Sequence, residues 1–136
     1  MENKSNSDKN LNCPFCNFGV ERENIVESQS VYSIYDKFPV SLGHSLIVPK
    51  RHCADYFELS SEEQSACWSL VNTIKKILTQ KYNPAGFNVG INVNKEAGQT
   101  IPHAHIHLIP RYQGDVKYPE GGVRGVIPDK RIYKLK

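Results

Sequence analysis

The chain has no apolar run approaching the roughly 18 residues that a membrane-crossing helix needs, which excludes such a helix. Residues 1–10 are rich in Asn, Ser and Lys and lack the apolar centre of a secretory signal. They are expected to form a flexible tail, and the protein is expected to be cytoplasmic. Charge of one sign is also scarce: 17 Lys and Arg against 14 Asp and Glu leave a net +3. That excess is too small for a nucleic-acid footprint and fits either an ordinary surface or a mild attraction for an anionic substrate. No internal repeat is present. There are only four cysteines, and in a reducing cytoplasm they are expected to serve metal or redox chemistry before structural disulfides. The remainder, 136 residues with a hydrophobic fraction of 39%, is enough for one globular domain with its own core.

Three of the five histidines fall two residues apart, at His103, His105 and His107, with Ala104, Ile106 and Leu108 between and after them. Strict alternation predicts a strand over residues 103–111, buried on one face. The three imidazoles would then share a face at a spacing of roughly 7 Å, with the apolar set pointing into the core. Such a row can bind a metal, or act on an anion with one ring attacking and its neighbours supplying protons and charge. Cys13 and Cys16 form a C-x-x-C, which in a reducing compartment points to metal or redox chemistry. Cys53 is an inert neighbour of His52 or a spare ligand, and Cys67 belongs to an apolar helical stripe.

The rest of the chain reads as sheet and one helix. Strands are predicted over 25–27, 30–35, 44–48 and 87–93, with loops over 36–43 and 94–102 and one helical turn near 54–57. Ser60-Ser61-Glu62-Glu63 is a capping box, followed by a helix to about Tyr82 with Cys67, Leu70, Val71, Ile74, Ile77 and Leu78 on its core face. Asn83, Pro84 and Gly86 end it. The expected fold is α+β: an antiparallel sheet of about five strands with one long helix packed on it. Residues from Tyr112 onward are mostly turn formers and are expected to wrap the surface.

Taken together, four segments resemble the histidine-triad (HIT) family of nucleotide hydrolases and transferases. They are His103-Ala104-His105-Ile106-His107-Leu108-Ile109, Cys13-Pro14-Phe15-Cys16, the run from Gly43 to His52, and the loop from Asn92 to Thr100. The resemblance spans residues 11–116, leaving 117–136 as an extension that packs on the domain or on a dimer partner. The ending from Pro110 to Asp115 resembles the branch that hydrolyses dinucleoside polyphosphates.

The resemblance implies that His105 is the nucleophile, forming a nucleotidyl-imidazole that water hydrolyses. Its second ring nitrogen should then donate to a fixed acceptor such as a backbone carbonyl. His107 would serve the leaving or nonbridging oxygen. Asn92, Gln99 and Thr100 would hold phosphate, Asp36 the ribose hydroxyls, and His44 would brace the triad. Ile34, Phe38 and Leu46 would line a base pocket. Cys13, Cys16, His52 and His103 would bind a structural zinc. The implied activity is cleavage of a nucleoside 5′-phosphoryl bond, with dinucleoside polyphosphates such as diadenosine tetraphosphate favoured. Alternatives are phosphoramidate hydrolysis, transfer to phosphate, or a non-catalytic nucleotide-binding role. Family members pair as homodimers, so a homodimer is expected, with nucleotide as the other partner.

Overall fold

The computed structural model describes residues 12–16 and 24–134. Five strands form one sheet: β1 (Asn24–Glu27), β2 (Val31–Tyr35), β3 (Ser45–Pro49), β4 (Gly86–Gly90) and β5 (Ile106–Arg111). Every pairing is antiparallel and the order is β1-β2-β3-β5-β4. The helix α1 (Ser61–Tyr82) lies between β3 and β4 in the chain. This is the α+β architecture expected. β1–β3 meander, and the last strand inserts between β3 and β4.

The helix starts where its capping box predicts. The Ser60 hydroxyl accepts from the Glu63 N–H, and Glu63 accepts from the Ser60 N–H, so two otherwise unpaired donors are satisfied. Glu63 also takes both arms of the Arg51 guanidinium, at 2.9 and 2.8 Å, which holds its carboxyl below the usual range. The helix start is thereby tied to the residue preceding His52. Asn83, in the left-handed conformation at φ 50°, ends the helix.

Alternation along the central strands separates two cores. On the helix side, Val31, Ile47, Ile106 and Leu108 pack with Cys67, Leu70, Val71, Ile74 and Leu78. On the other side, Tyr32, Ile34, Leu46 and Val48 pack with Cys13, Phe15 and Cys16. β3 is buried along its whole length because both its faces are covered. The apolar stripe of the helix is as expected, with Ile77 at its margin and the Cys67 thiol pushed up to about 11 by burial.

Several boundaries differ from expectation. The triad strand begins at Ile106, not 103, because the Ala104 N–H bonds to the Cys53 carbonyl at 2.7 Å and leaves the sheet. β4 stops at Gly90, opposite His107, since the chain bends away before offering residues 91–93 a partner. Asn92 is therefore in a loop and not on a strand. β3 starts one residue late, at Ser45, and includes Pro49. The helical turn near 54–57 is a 3-10 turn, Tyr56–Glu58, capped by Asp55. The C-terminal extension contains two 3-10 turns, Gly122–Val126 and Pro128–Lys130, the first packed against β4. The tail predicted for residues 1–10 lies outside the described residues. Among the described residues, no helix is long and apolar enough to cross a membrane.

Candidate active site

The three histidines do not share one strand face. Only His107 is in β5, projecting opposite to Ile106 and Leu108. His103 and His105 precede the strand, in the bent segment, and their rings serve two separate centres.

The first centre is a ligand cluster. Cys13 Sγ lies 3.4 Å from His103 Nδ1, Cys16 Sγ lies 3.2 Å from His52 Nδ1 and 3.6 Å from His103 Nδ1, and the two Nδ1 atoms are 3.3 Å apart. In a tetrahedral metal shell with bonds of about 2.0 Å to nitrogen and 2.3 Å to sulfur, unlike donors sit about 3.5 Å apart and two nitrogens about 3.3 Å apart. The four side chains already have that spacing, and all four donor atoms lie within 4.8 Å of one another. Their orientation also fits. The Pro49 carbonyl, 2.7 Å from His103 Nε2, can only accept, so that nitrogen carries the proton and Nδ1 presents its lone pair to the cluster. Burial depresses the basicity of His103, to a pKa of about 4, which keeps the ring in its neutral, ligating form.

The second centre is a cleft of about 320 Å³. His105 and His107 line it, with ring centroids 5.0 Å apart, together with Asp36, Phe38, His44, Leu46, Asn92, Gln99 and Thr100. The fold thus gathers all but one of the residues expected to touch substrate, from the β2–β3 and β4–β5 connections and from strands β3 and β5. Ile34 differs: it is fully buried in the core and does not line the cleft. Phe15, Val40 and Ile101 line it without having been anticipated. Phe15 meets the His103 and His105 rings edge-on, at 5.9 and 5.0 Å, and so spans both centres. Its place between two cysteines was the only available signal.

Proton positions follow from partners that can act only one way. The His103 carbonyl lies 2.8 Å from His105 Nδ1, so Nδ1 donates and Nε2 carries a lone pair. This supplies the fixed backbone acceptor that a nucleophilic imidazole needs. The Val40 N–H donates to His44 Nδ1 at 3.1 Å, which puts the His44 proton on Nε2. That nitrogen lies 3.0 Å from His107 Nδ1, which must accept, so the His107 proton sits on Nε2. Burial first, then the neighbouring rings of His105 and His44, push the His107 pKa down to about 4. Burial lowers that of His44 as well, against the opposing pull of Asp36, whose carboxylate lies 3.4 Å from His44 Nε2. At neutral pH both rings are uncharged.

Gln99 is differently employed. Its amide donates to the carbonyls of Ala54 and Ile101, and its oxygen accepts from the Asn94 N–H. With both amide hydrogens taken, the side chain shapes the loop and has none left for a phosphate. Asn94 and Gly98 turn that loop through positive φ, at 74° and 93°.

A model described as "HIT domain" matches residues 18–114. A solved HIT family protein from Bacillus anthracis is 37% identical, with a TM-score of 0.73 over 77% of each chain. A structure described as a Zn-bound histidine triad family protein, from Mycobacterium smegmatis, is 29% identical, with a TM-score of 0.72 over 77% of this chain and 78% of that one. A curated relative named AP-4-A phosphorylase, from Mycobacterium tuberculosis, is 27% identical over 95 residues, which is 69% of this chain and 49% of that protein.

Proposed function

The chain belongs to the HIT domain family, and from that premise we propose that it cleaves nucleoside 5′-phosphoryl bonds through a nucleotidyl-His105 intermediate. Dinucleoside polyphosphates are its preferred substrates. The observation that carries this reading is the fixed tautomer pair in the cleft: a lone pair on His105 Nε2 beside an N–H on His107 Nε2.

The step follows from that pair. The Nε2 lone pair of His105 forms a bond to the α-phosphorus as the bond to the leaving group breaks. The leaving group takes the electron pair, and the ring becomes an imidazolium whose Nδ1–H stays on the His103 carbonyl. With diadenosine tetraphosphate, adenosine triphosphate departs. Water then bonds to phosphorus, the N–P electrons return to Nε2, the water proton passes to solvent, and adenosine monophosphate is released. His107 donates a hydrogen bond to the departing oxygen throughout. A phosphoanhydride leaves as a stable anion and needs only that bond. An amine leaving group needs a full proton, whereas burial favours the neutral form of His107, which offers a hydrogen bond. This supports polyphosphates over phosphoramidates. Asp36 would accept from the ribose hydroxyls, Asn92 and Thr100 would donate to phosphate, and Gln99 would hold the loop.

The Cys13, Cys16, His52 and His103 cluster supports a structural zinc, since a shell filled by four protein ligands leaves no position for substrate. When bound, zinc would cross-link the Cys13–Cys16 turn to the sheet and fix the carbonyl that orients His105. We further propose a homodimer. β4 is an outer strand of the sheet, which supports pairing along that side.

The test is incubation with diadenosine tetraphosphate and intact-mass measurement. A nucleotidyl adduct should form, be lost in H105A, and give adenosine mono- and triphosphate. A much faster reaction with adenosine phosphoramidate overturns the substrate assignment. The name of the Mycobacterium tuberculosis relative supports a second reading, transfer to inorganic phosphate. Adenosine diphosphate appearing only when phosphate is added would establish it.

A further inference from the structure

Phe15 stands where the two centres meet. Its neighbours Cys13 and Cys16 belong to the ligand cluster, while its own ring lies edge-on to His105 in the cleft, at 5.0 Å, and to His103, at 5.9 Å. His103 joins the centres a second way. Its Nδ1 lies 3.4 and 3.6 Å from the two sulfurs, and its carbonyl accepts from His105 Nδ1 at 2.8 Å. Whatever moves the two sulfurs therefore acts on His105 through one ring contact and one hydrogen bond.

The sulfurs are also placed to bond to each other. Cys13 and Cys16 close a four-residue turn, with the Cys16 N–H donating to the Cys13 carbonyl at 3.2 Å. Such a turn keeps its end Cα atoms within about 7 Å, and a disulfide spans about 4.4–6.8 Å between Cα atoms. The two Sγ atoms lie within 4.8 Å of one another, so rotation about the Cα–Cβ bonds, without refolding of the turn, brings them together. The other two cysteines stand outside the cluster. Cys67 packs in the helix-side core, where burial pushes its thiol up to about 11, and the Cys53 thiol donates to the Asp55 carbonyl at 3.3 Å. The cluster reaches the surface at His52, its one partly exposed member.

We propose that the Cys13–Cys16 pair is a redox modification site that switches His105: a hydroperoxide converts the pair to a disulfide, the four-ligand shell is lost, and His105 leaves its productive tautomer. This rests on the zinc and nucleophile assignments proposed above. One thiolate attacks the peroxide, whose O–O bond breaks, giving a sulfenic acid and hydroxide. The second thiolate attacks that sulfur, forming the S–S bond and expelling a second hydroxide. The two sulfurs lose two electrons and the two peroxide oxygens gain them. Drawing the sulfurs to about 2.05 Å takes them off the two imidazoles. His103 Nδ1 then keeps His52 Nδ1, at 3.3 Å, as its neighbour in place of a filled shell, and Phe15 shifts with the turn that carries it. The His103 carbonyl is held less firmly, and the His105 proton redistributes from Nδ1 to Nε2, which removes the attacking lone pair. A dithiol reverses the bond by exchange.

The test uses the zinc-loaded wild-type chain, treated with hydrogen peroxide and then desalted. Peptide mapping should place a disulfide at Cys13–Cys16, and a chelating dye should detect zinc leaving as that bond forms. Ring-nitrogen NMR should show His105 passing from one tautomer to a mixture. Adduct formation with diadenosine tetraphosphate should slow by about fivefold or more, the scale of one lost orienting hydrogen bond. Dithiothreitol with added zinc should restore each property. C53A/C67A should respond in the same way; if that core variant fails to fold, mapping of the wild type still assigns the oxidised pair. A disulfide that leaves the His105 tautomer and the adduct rate unmoved refutes the switch. So does peroxide that oxidises Cys53 alone, or that drives a cluster cysteine to sulfinic acid without forming the bond. The His105 spectrum decides the switch even in a chain that forms no adduct, so failure of the proposed function is seen separately.

Discussion

His44 offers the most incisive perturbation, because its two ring nitrogens do separable jobs. Nδ1 accepts from the Val40 N–H and holds the loop; Nε2 donates to His107 and sets its tautomer. An Asn amide reaches the position of Nδ1 but not of Nε2, and a Gln amide reaches the reverse. In H44N the loop bond survives while His107 Nδ1 loses its donor. Nothing then holds the His107 proton on Nε2, and the Asp36 carboxylate, within 4.8 Å of both rings, favours a proton on the Nδ1 side. The lost His44 hydrogen bond is worth about 1 kcal/mol towards the productive tautomer, so kcat/KM should fall by about fivefold, with little change in stability. In H44Q the relay survives and the Val40 N–H is orphaned. Stability should drop by about 1 kcal/mol, or about 3 °C in Tm, while kcat/KM stays within a few-fold. Steady-state kinetics on diadenosine tetraphosphate, thermal unfolding, and nitrogen NMR of the His107 ring read out the two effects. Equal losses of rate in H44N and H44Q, or an unmoved His107 tautomer in H44N, would refute the reasoning.

Other outcomes can be checked more briefly. Protein purified without a histidine tag should contain about one zinc per chain by elemental analysis, and C16S should lose it and unfold at a markedly lower temperature. Folded, active wild-type protein without zinc would remove the site. His107 is neutral in the fold down to about pH 4 but has an ordinary pKa near 6.5 when unfolded. Its contribution is therefore complete above pH 6.5 and is lost as pH falls from 6.5 towards 4, where the unfolded chain takes up a proton the native ring refuses. That loss is at most about 3 kcal/mol, and denaturant titrations of H107N against wild type across that window should show a shallower pH dependence in the variant. G43A should destabilise the protein by about 2 kcal/mol or more, because φ there is +89° and a β-carbon would come within 2.9 Å of the Tyr82 ring. Chemical denaturation measures it.

The sequence by itself determined the elements whose signals are local. The capping box at Ser60 and Glu63, the helical stripe through Cys67 and Leu78, and the alternation of Ile106, His107 and Leu108 each depend on neighbours a few residues away, and each stands in the structure as read. The same alternation misled at His103, which leaves the row, and on where the strand begins, though His105 and His107 still line one cleft. A period of two assigns a side chain to a face only while the chain stays extended, and extension ends where a distant group outbids the sheet. Here that group is the Cys53 carbonyl, which takes the Ala104 N–H and turns His103 towards Cys13 and Cys16. The resemblance implied that split of the triad between two centres, and only the tertiary structure decided the bend that carries it out. The tertiary structure also decided the proton positions, because the Pro49 and His103 carbonyls and the Val40 amide that fix them belong to the backbone. Every residue carries such groups, so no residue type marks in advance which of them a folded chain will bring beside an imidazole.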